Sequence, residues 1–288
     1  MSETYKDPSG SWDLIIEPPS KWFDFRFHEL VEYRDLLALL IRRDFVAAYK
    51  QTVVGPFWFL IQPILTTLVF TFVFGNVAKL GTDGMPQFLF YFSGTMLWGY
   101  FSHCLTKCAN TFNANALLFK KIYFPRMAVP ISYVAMETLA VAIQFLMLIF
   151  FFFYYMASGI ELRPNLWLLA IPVFLFQLGA LGVGFGVIIS SMTTKYRDLK
   201  QLLSFGMQLW MYCSAIIIPF STFIDGGFGW VVYINPVMPV VAMFRYAILS
   251  GGPCPIGAWL VSLILSVILL FLGIVIFNRN ERTFIDVI

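Results

Sequence analysis

The most restrictive feature of this sequence is a series of long stretches without Asp, Glu, Lys or Arg. The first is Gln51–Ala78, whose apolar part begins at Phe57; then come Gly84–Thr106, Met127–Ile160 (interrupted only by Glu137), Pro164–Thr194 and Gln201–Ile224. A weaker stretch, Gly226–Phe244, precedes Arg245, and Tyr246–Asn278 closes the series with an apolar core from about Ala258 to Phe277. About 20 apolar residues carry a helix across the hydrocarbon of a bilayer, with the backbone hydrogen bonds satisfied inside the helix. Composition points the same way. Of the 288 residues 59% are hydrophobic and 12% charged, against about 25% charged in soluble domains. Too little polar surface is available for a water-soluble globule, and disorder is excluded. A transmembrane barrel would alternate apolar and polar residues, whereas these runs are continuous.

The stretch GGFGWVVYINPVMPVVAMF carries Asn235-Pro236 and Pro239 in its middle. Proline removes a backbone donor and clashes with the preceding turn, which is hard to accommodate at full membrane depth. Two short helices that dip in and return fit better than one span. The expected fold is therefore an all-α integral membrane protein with six spans, at about 57–78, 87–106, 128–157, 166–190, 202–222 and 256–277, and a re-entrant hairpin at about 226–250. With the N-terminus inside, 16 of the 19 lysines and arginines fall on the cytoplasmic side, and only Lys79, Arg163 and Arg245 outside. That bias places both termini in the cytoplasm. A seven-span arrangement would give 15 to 4, so charge alone does not separate the two. The polar, acidic N-terminus is not expected to be a signal peptide, and Cys104, Cys108, Cys213 and Cys254 suggest no disulfide framework.

Three units follow: a cytoplasmic tail at 1–28, an amphipathic interface helix at 29–55 and a transmembrane domain at 56–288. In the interface helix Leu30, Tyr33, Leu37, Leu40 and Ile41 recur at helical spacing, with charged residues mostly off that stripe. Such a helix is expected in the membrane surface, as an anchor or as a coupling element, until Gly55-Pro56 turns the chain inward. The loop NANALLFKKIYFPRMAVP is basic and aromatic, and TTKYRDLKQ is short. Plain topological charge accounts for either, and neither can hold a domain.

Candidate chemistry is sparse. No G-x-x-x-x-G-K-[ST] loop is present to cradle a phosphate. Leu249-Ser250-Gly251-Gly252-Pro253 resembles the start of an ATP-binding cassette signature but reads as a turn, since no phosphate loop accompanies it. His103, Cys104 and Cys108 could share a helix face, yet three ligands within one helix make a poor metal site, so none is expected. A membrane-embedded transferase would need a His, Asp or Glu cluster at one face, and the chain has only His28 and His103. Glu137 is the one formal charge inside a span, and it either lines a polar path or is wetted at the interface. Gly182 and Gly186 form a G-x-x-x-G suited to close helix packing. Trp98, Tyr100, Phe101, Trp210 and Tyr212 are candidates, with Glu137, to line a channel for sugars; interface-belt aromatics are the plainer reading.

Several segments together carry a family resemblance: ELVEYRDLLALLIRRDFVAAYKQTVVGPFWFLIQP at Glu29–Pro63, LLFKKIYFPRMAVPIS at Leu117–Ser132, TTKYRDLKQLLSFGMQLWMYCSAIIIP at Thr193–Pro219, YINPVMPVVAMFRYAIL at Tyr233–Leu249 and NERTFIDVI at Asn280–Ile288. In that order they resemble the ABC-2 type permease subunit of bacterial ABC polysaccharide exporters, the O-antigen and teichoic-acid export family. The resemblance implies a multi-pass protein of the bacterial inner membrane, acting as a homodimer with two ABC ATPase subunits. It would move a lipid-linked glycan, with ATP and Mg bound by the partner, no cofactor in this chain and no nucleic acid. Small-molecule, drug or capsule export is the alternative within the same broad family. By the same resemblance, Lys120, Lys121, Tyr123, Phe124, Pro125 and Arg126, with Tyr196, Arg197 and Asp198, would couple to the ATPase. Arg42, Arg43, Asp44, Tyr49 and Lys50 would belong to the interface helix, and Asn235, Pro236, Pro239 and Arg245 to an extracytoplasmic gate.

Overall fold

A computed structural model describes residues 33–50, 54–121, 124–193 and 198–287. The described residues are helical, with no strand among them. In chain order the helices are α1 (Arg34–Tyr49), α2 (Trp58–Phe70, continuing as a π-helix over Thr71–Val77), α3 (Gln87–Ala109), α4 (Thr111–Ala114) and α5 (Ala116–Lys121). They continue with α6 (Ala128–Ala157), α7 (Ile171–Thr193, led in by a 3-10 turn at Leu166–Ala170), α8 (Leu199–Tyr212), α9 (Phe220–Asp225), α10 (Gly229–Ile234), α11 (Val237–Leu249) and α12 (Ile256–Val287).

Four segments among the described residues are long and apolar enough to cross a bilayer: Trp58–Val77, Ala128–Ala157, Leu166–Thr193 and Ile256–Arg279. They coincide with the stretches expected at 57–78, 128–157, 166–190 and 256–277. The helix expected at 87–106 forms, as α3, but Ser93, Thr95, Ser102, His103, Thr106 and Lys107 make it too polar to join those four. Its position explains that composition. Most of α3 is buried among other helices, with Phe90, Tyr91, Phe92, Phe101 and Leu105 fully covered, so it does not rely on lipid for solvation. The stretch expected at 202–222 is broken. Helix α8 ends at Tyr212, the chain turns through Ala215 at φ 54°, and α9 starts after Pro219. At the Asn-Pro break two short helices, α10 and α11, stand where one span would have been continuous.

Glycine sets the closest contacts. A Cβ on Gly182 would lie 2.6 Å from the Cβ of Cys104, and one on Gly186 would lie 2.5 Å from the Cβ of Cys108 and 2.6 Å from the Leu105 carbonyl. On the other side of α7, a Cβ on Gly184 would meet the Leu269 backbone at 2.9 Å, and one on Gly273 would meet the Gly184 carbonyl at 2.8 Å. The G-x-x-x-G pair thus packs α7 onto α3 within one chain, and Gly184 with Gly273 packs it onto α12. A polar network ties the same layer together. Gln177 donates to Ser262 (2.8 Å) and Ser266 (3.3 Å), Trp259 Nε1 donates to Gln177 (2.9 Å), and Ser262 donates to the Pro236 carbonyl (2.5 Å).

Helix α1 turns its apolar stripe toward the bundle. Leu40 is buried, and Tyr33, Leu36 and Leu37 pack with it against a cluster that includes Phe112, Phe124, Val129 and Tyr133. The stripe expected to face the membrane is therefore shared with the protein, while Leu39 and Val46 stay exposed.

Gly186→Leu forces α7 away from α3 and is expected to cost about 1–3 kcal/mol or more, as overpacking does. Gly206→Ala, where a Cβ meets nothing within 4 Å, replaces a helix-interior glycine and is expected to stabilise by up to about 1 kcal/mol. Thermal unfolding of the two variants in detergent checks the pair of signs.

Candidate functional site

Two ends of the bundle and the helix between them hold the functional candidates. At the end where α3 meets α6 the chain makes a compact knob. Thr111 and Phe112 of α4 are buried, with Phe112 stacked on Phe277 of α12 at 4.7 Å between centroids. Phe119 of α5 lies 6.2 Å from Phe112 and 5.7 Å from the buried Phe124. Arg126 is buried with its guanidinium 5.5 Å from the centre of the Phe119 ring. The Phe112 N–H donates to Ser190 Oγ (3.4 Å) and Thr193 Oγ1 to the Ala109 carbonyl (3.2 Å), fixing the knob to the end of α7. Asn115 bridges outward: its Nδ2 donates to Tyr133 Oη (2.8 Å), and its Oδ1 accepts from Arg43 (3.4 Å), which pairs with Asp44 at 2.7 Å. Against this anchored base, Leu117 of α5 is 74% exposed.

Phe124, Pro125 and Arg126 therefore belong to the knob, and Arg43 and Asp44 of α1 reach it. Arg42, Lys50 and Asp198 are exposed, Asp198 at the start of α8. Tyr123, Tyr196 and Arg197 lie outside the described residues, as do the side chains of Tyr49, Lys120 and Lys121. Leu117 is a feature the sequence reading passed over. It was legible as the one leucine of LLFKK placed opposite the phenylalanine that anchors the helix.

At the other end Arg245 of α11 is buried beneath the turn after α8. Its Nη1 donates to the Ala215 carbonyl (2.5 Å), its Nη2 to the carbonyls of Phe90 (2.8 Å) and Ile216 (3.1 Å), and its Nε to Ser93 Oγ (3.3 Å). The guanidinium lies 3.6 Å from the centre of the Phe90 ring. Asn235 completes the same turn. Its amide donates to the Cys213 carbonyl (2.7 Å) and Ser214 Oγ (3.0 Å), and its carbonyl accepts from Trp210 Nε1 (3.0 Å) and the Val237 N–H (3.1 Å). Pro236 offers its carbonyl to Ser262, and Pro239 sits in the first turn of α11, where a missing N–H costs little. Leu249–Pro253 is a helix-ending turn, with Ser250 at φ 49° and Gly252 at φ 77°.

Between the two ends, most of the expected channel aromatics are inside the protomer. Trp98, Tyr100 and Phe101 are buried, and Trp98, Phe101 and Phe185 surround the half-buried Trp210 with ring centroids 6.3, 5.1 and 5.2 Å away. Tyr212 is the exposed one. The side chain of Glu137 is only 5% exposed and lies between two groups of α3, Lys107 Nζ at 2.5 Å and His103 Nδ1 at 3.1 Å. It is thus a buried bridge from α6 to α3. Cys104 and Cys108 are buried under Gly182 and Gly186, so His103 does not share their face and the three do not converge.

Comparison with known proteins assigns the family. The ABC-2 type transporter family matches residues 35–249. An O-antigen export system permease protein RfbA of Klebsiella pneumoniae is 30% identical over 258 residues, covering 88% of this chain and 95% of that protein. One of the same name from Myxococcus xanthus is 26% identical over 261 residues, covering 90% and 97%. The match spans α1 through α11, including the knob and the Asn235–Arg245 segment. The chain belongs to the ABC-2 type transporter family, as a multi-pass inner-membrane permease component of an exporter homologous to O-antigen export permeases.

Proposed function

We propose that this chain exports a lipid-linked polysaccharide of O-antigen or teichoic-acid type, as a homodimer of six-span subunits driven by two separate ATPase subunits. The observation that carries the reading is the near full-length similarity to permeases named for O-antigen export. That similarity favours a glycan over a drug or other small molecule. In this reading ATP and Mg stay on the partner, and the knob formed by α4, α5 and Phe124–Arg126 receives the partner's motion. The shape of the knob suits that role. A lever must be stiff where it joins the long helices and free where it is pushed, and Phe112, Phe119 and Phe124 supply the first while Leu117 supplies the second. Arg245 and Asn235 hold the far end shut as an extracytoplasmic gate, by pinning the 213–216 turn to the start of α3.

Proteoliposomes holding this chain and its ATPase, loaded with lipid-linked glycan, should show glycan-stimulated ATP hydrolysis and glycan translocation. Neither activity in a correctly assembled complex would overturn the proposal. Leu117→Asp should leave folding intact, since the side chain is exposed, while weakening ATPase docking and uncoupling hydrolysis from translocation; co-purification and the hydrolysis-to-export ratio read both effects. Arg245→Leu takes the guanidinium from the carbonyls of Ala215 and Ile216 at about 1–3 kcal/mol each, while the Phe90 carbonyl keeps the Ser93 hydroxyl, and this should loosen the outer closure about tenfold or more. Release of a small hydrophilic dye from proteoliposomes without ATP measures that leak.

A further inference from the structure

Three of the four long apolar segments contain a proline, and one of these is placed unlike the others. Pro130 of α6 and Pro172 of α7 lie in first turns, where an N–H has no intrahelical acceptor to lose. Pro63 is inside α2, five residues after Trp58, so the bond it cannot make is an interior one, to the carbonyl of Phe59 four residues earlier. At membrane depth such a gap is tolerated where neighbouring groups restore the lost bond. Here α6 supplies the donor: Gln144 Nε2 donates to the Phe59 carbonyl at 3.0 Å. Gln144 is the only amide or hydroxyl side chain of α6 between Thr138 and Tyr154, so its polarity is spent at the proline gap.

The two halves of α2 are tied to different helices. Before Pro63, the Phe59 carbonyl is held by α6, and the Phe59 ring lies 6.4 Å from Phe45 of α1, a helix that itself packs on α6 through Leu40. After Pro63, the buried Thr67 meets Thr95 of α3, hydroxyl to hydroxyl at 3.1 Å, and Phe70 lies edge-on to Tyr91 with centroids 6.3 Å apart. Gly75 then passes so close to Gln87 that a Cβ would lie 2.5 Å from its Oε1. Gln87, Tyr91 and Thr95 belong to the same turns of α3 as Phe90 and Ser93, which hold Arg245. The first half of α2 thus goes with α1 and α6, and the second with the Arg245 end of α3. Little packing opposes a bend between them, since α2 is the least buried of the four segments. Resting on the transport reading above, we propose that Pro63 is a hinge that lets the second half of α2 follow α3 while the first half stays on α6. Gln144 is the positioning residue of that hinge. Bending at Pro63 breaks no bond within α2, because the one that would resist it runs from α6 instead.

The test uses the full chain with its ATPase in proteoliposomes, and reads melting temperature and glycan export on the same variants. Pro63→Ala restores the N–H and stiffens α2, so it should melt higher by about 2 °C or more while export falls about fivefold or more. Pro63→Gly restores the same N–H on a pliable backbone, so it should melt below Pro63→Ala yet export faster. A proline that serves stability alone would make export follow melting temperature instead. Export by Pro63→Ala at the parent rate, or by Pro63→Gly no faster than by Pro63→Ala, would overturn the hinge. Gln144→Leu should lower the melting temperature, and should do so by less than half as much in the Pro63→Ala background, where the restored N–H reaches the same carbonyl. An equal loss in both backgrounds would refute the role of Gln144. Absence of export by the parent chain would overturn the transport reading and the hinge with it, whereas the melting of the Gln144 variants tests the Phe59 bond on its own.

Discussion

The approach of α7 to α3 and α12 at backbone distance is the contact on which the rest depends. Within a bilayer, lipid tails solvate apolar side chains as well as another helix does, so helices associate through close packing and hydrogen bonds rather than through burial from water. Helix α7 meets that requirement on two sides, with Gly182 and Gly186 against Cys104 and Cys108, and Gly184 against Leu269 and Gly273. Gln177 adds hydrogen bonds to Ser262 and Ser266 in the same layer. The three helices so joined form the frame to which both candidate ends are attached.

At the end away from the knob the frame holds a buried, fully engaged cation. Arg245 spends its donors on the backbone of two segments, Phe90 at the start of α3 and Ala215–Ile216 after α8. The turn needs that help. Ala215 has φ 54°, a strained region for a residue with a Cβ, and its carbonyl accepts the 2.5 Å bond from the guanidinium. Gly94 provides the space, since a Cβ there would lie 2.4 Å from Nη2. A longer α8 would have removed the turn and with it the Ala215 and Ile216 acceptors, so the break in the stretch at 202–222 and the burial of Arg245 are one arrangement.

Much of the frame was legible in the sequence. Four of the long apolar stretches became the four long apolar helices, because chain length and hydropathy decide which segments can cross a bilayer. The proline rule also located a helix break at Asn235-Pro236. What stayed hidden depends on which side of a helix faces a neighbour. Trp98, Tyr100 and Phe101 have the chemistry of a sugar-binding wall, yet they point into the protomer, while Ser102, Thr106 and Lys107 turn outward. Nothing in residue type separates those two sets. Likewise, a single Glu within a span is read as lining or as bridging only once its partners, here on a different helix, are known.

Helix α3 is the element common to every candidate. Its first turns hold the Arg245 contacts at Phe90 and Ser93, its later turns pair with Glu137, and its end runs into α4 and the knob. From Phe90 to Phe112 a continuous helical path would cover about 33 Å at 1.5 Å per residue, roughly the thickness of the hydrocarbon core. A rod buried over that length by α6 and α7 transmits displacement with little loss, because closely packed interiors are stiff. A push at the knob in the proposed cycle therefore need not travel through loops to reach the outer closure. It shifts the same helix that supplies one side of the Arg245 clasp, while the other side, the 213–216 turn, meets α3 through Arg245, the Trp210 rings and Ile216 against Gly94. Relative motion of those two sides is the simplest way for this frame to open, and it leaves the glycine contacts of α7 intact.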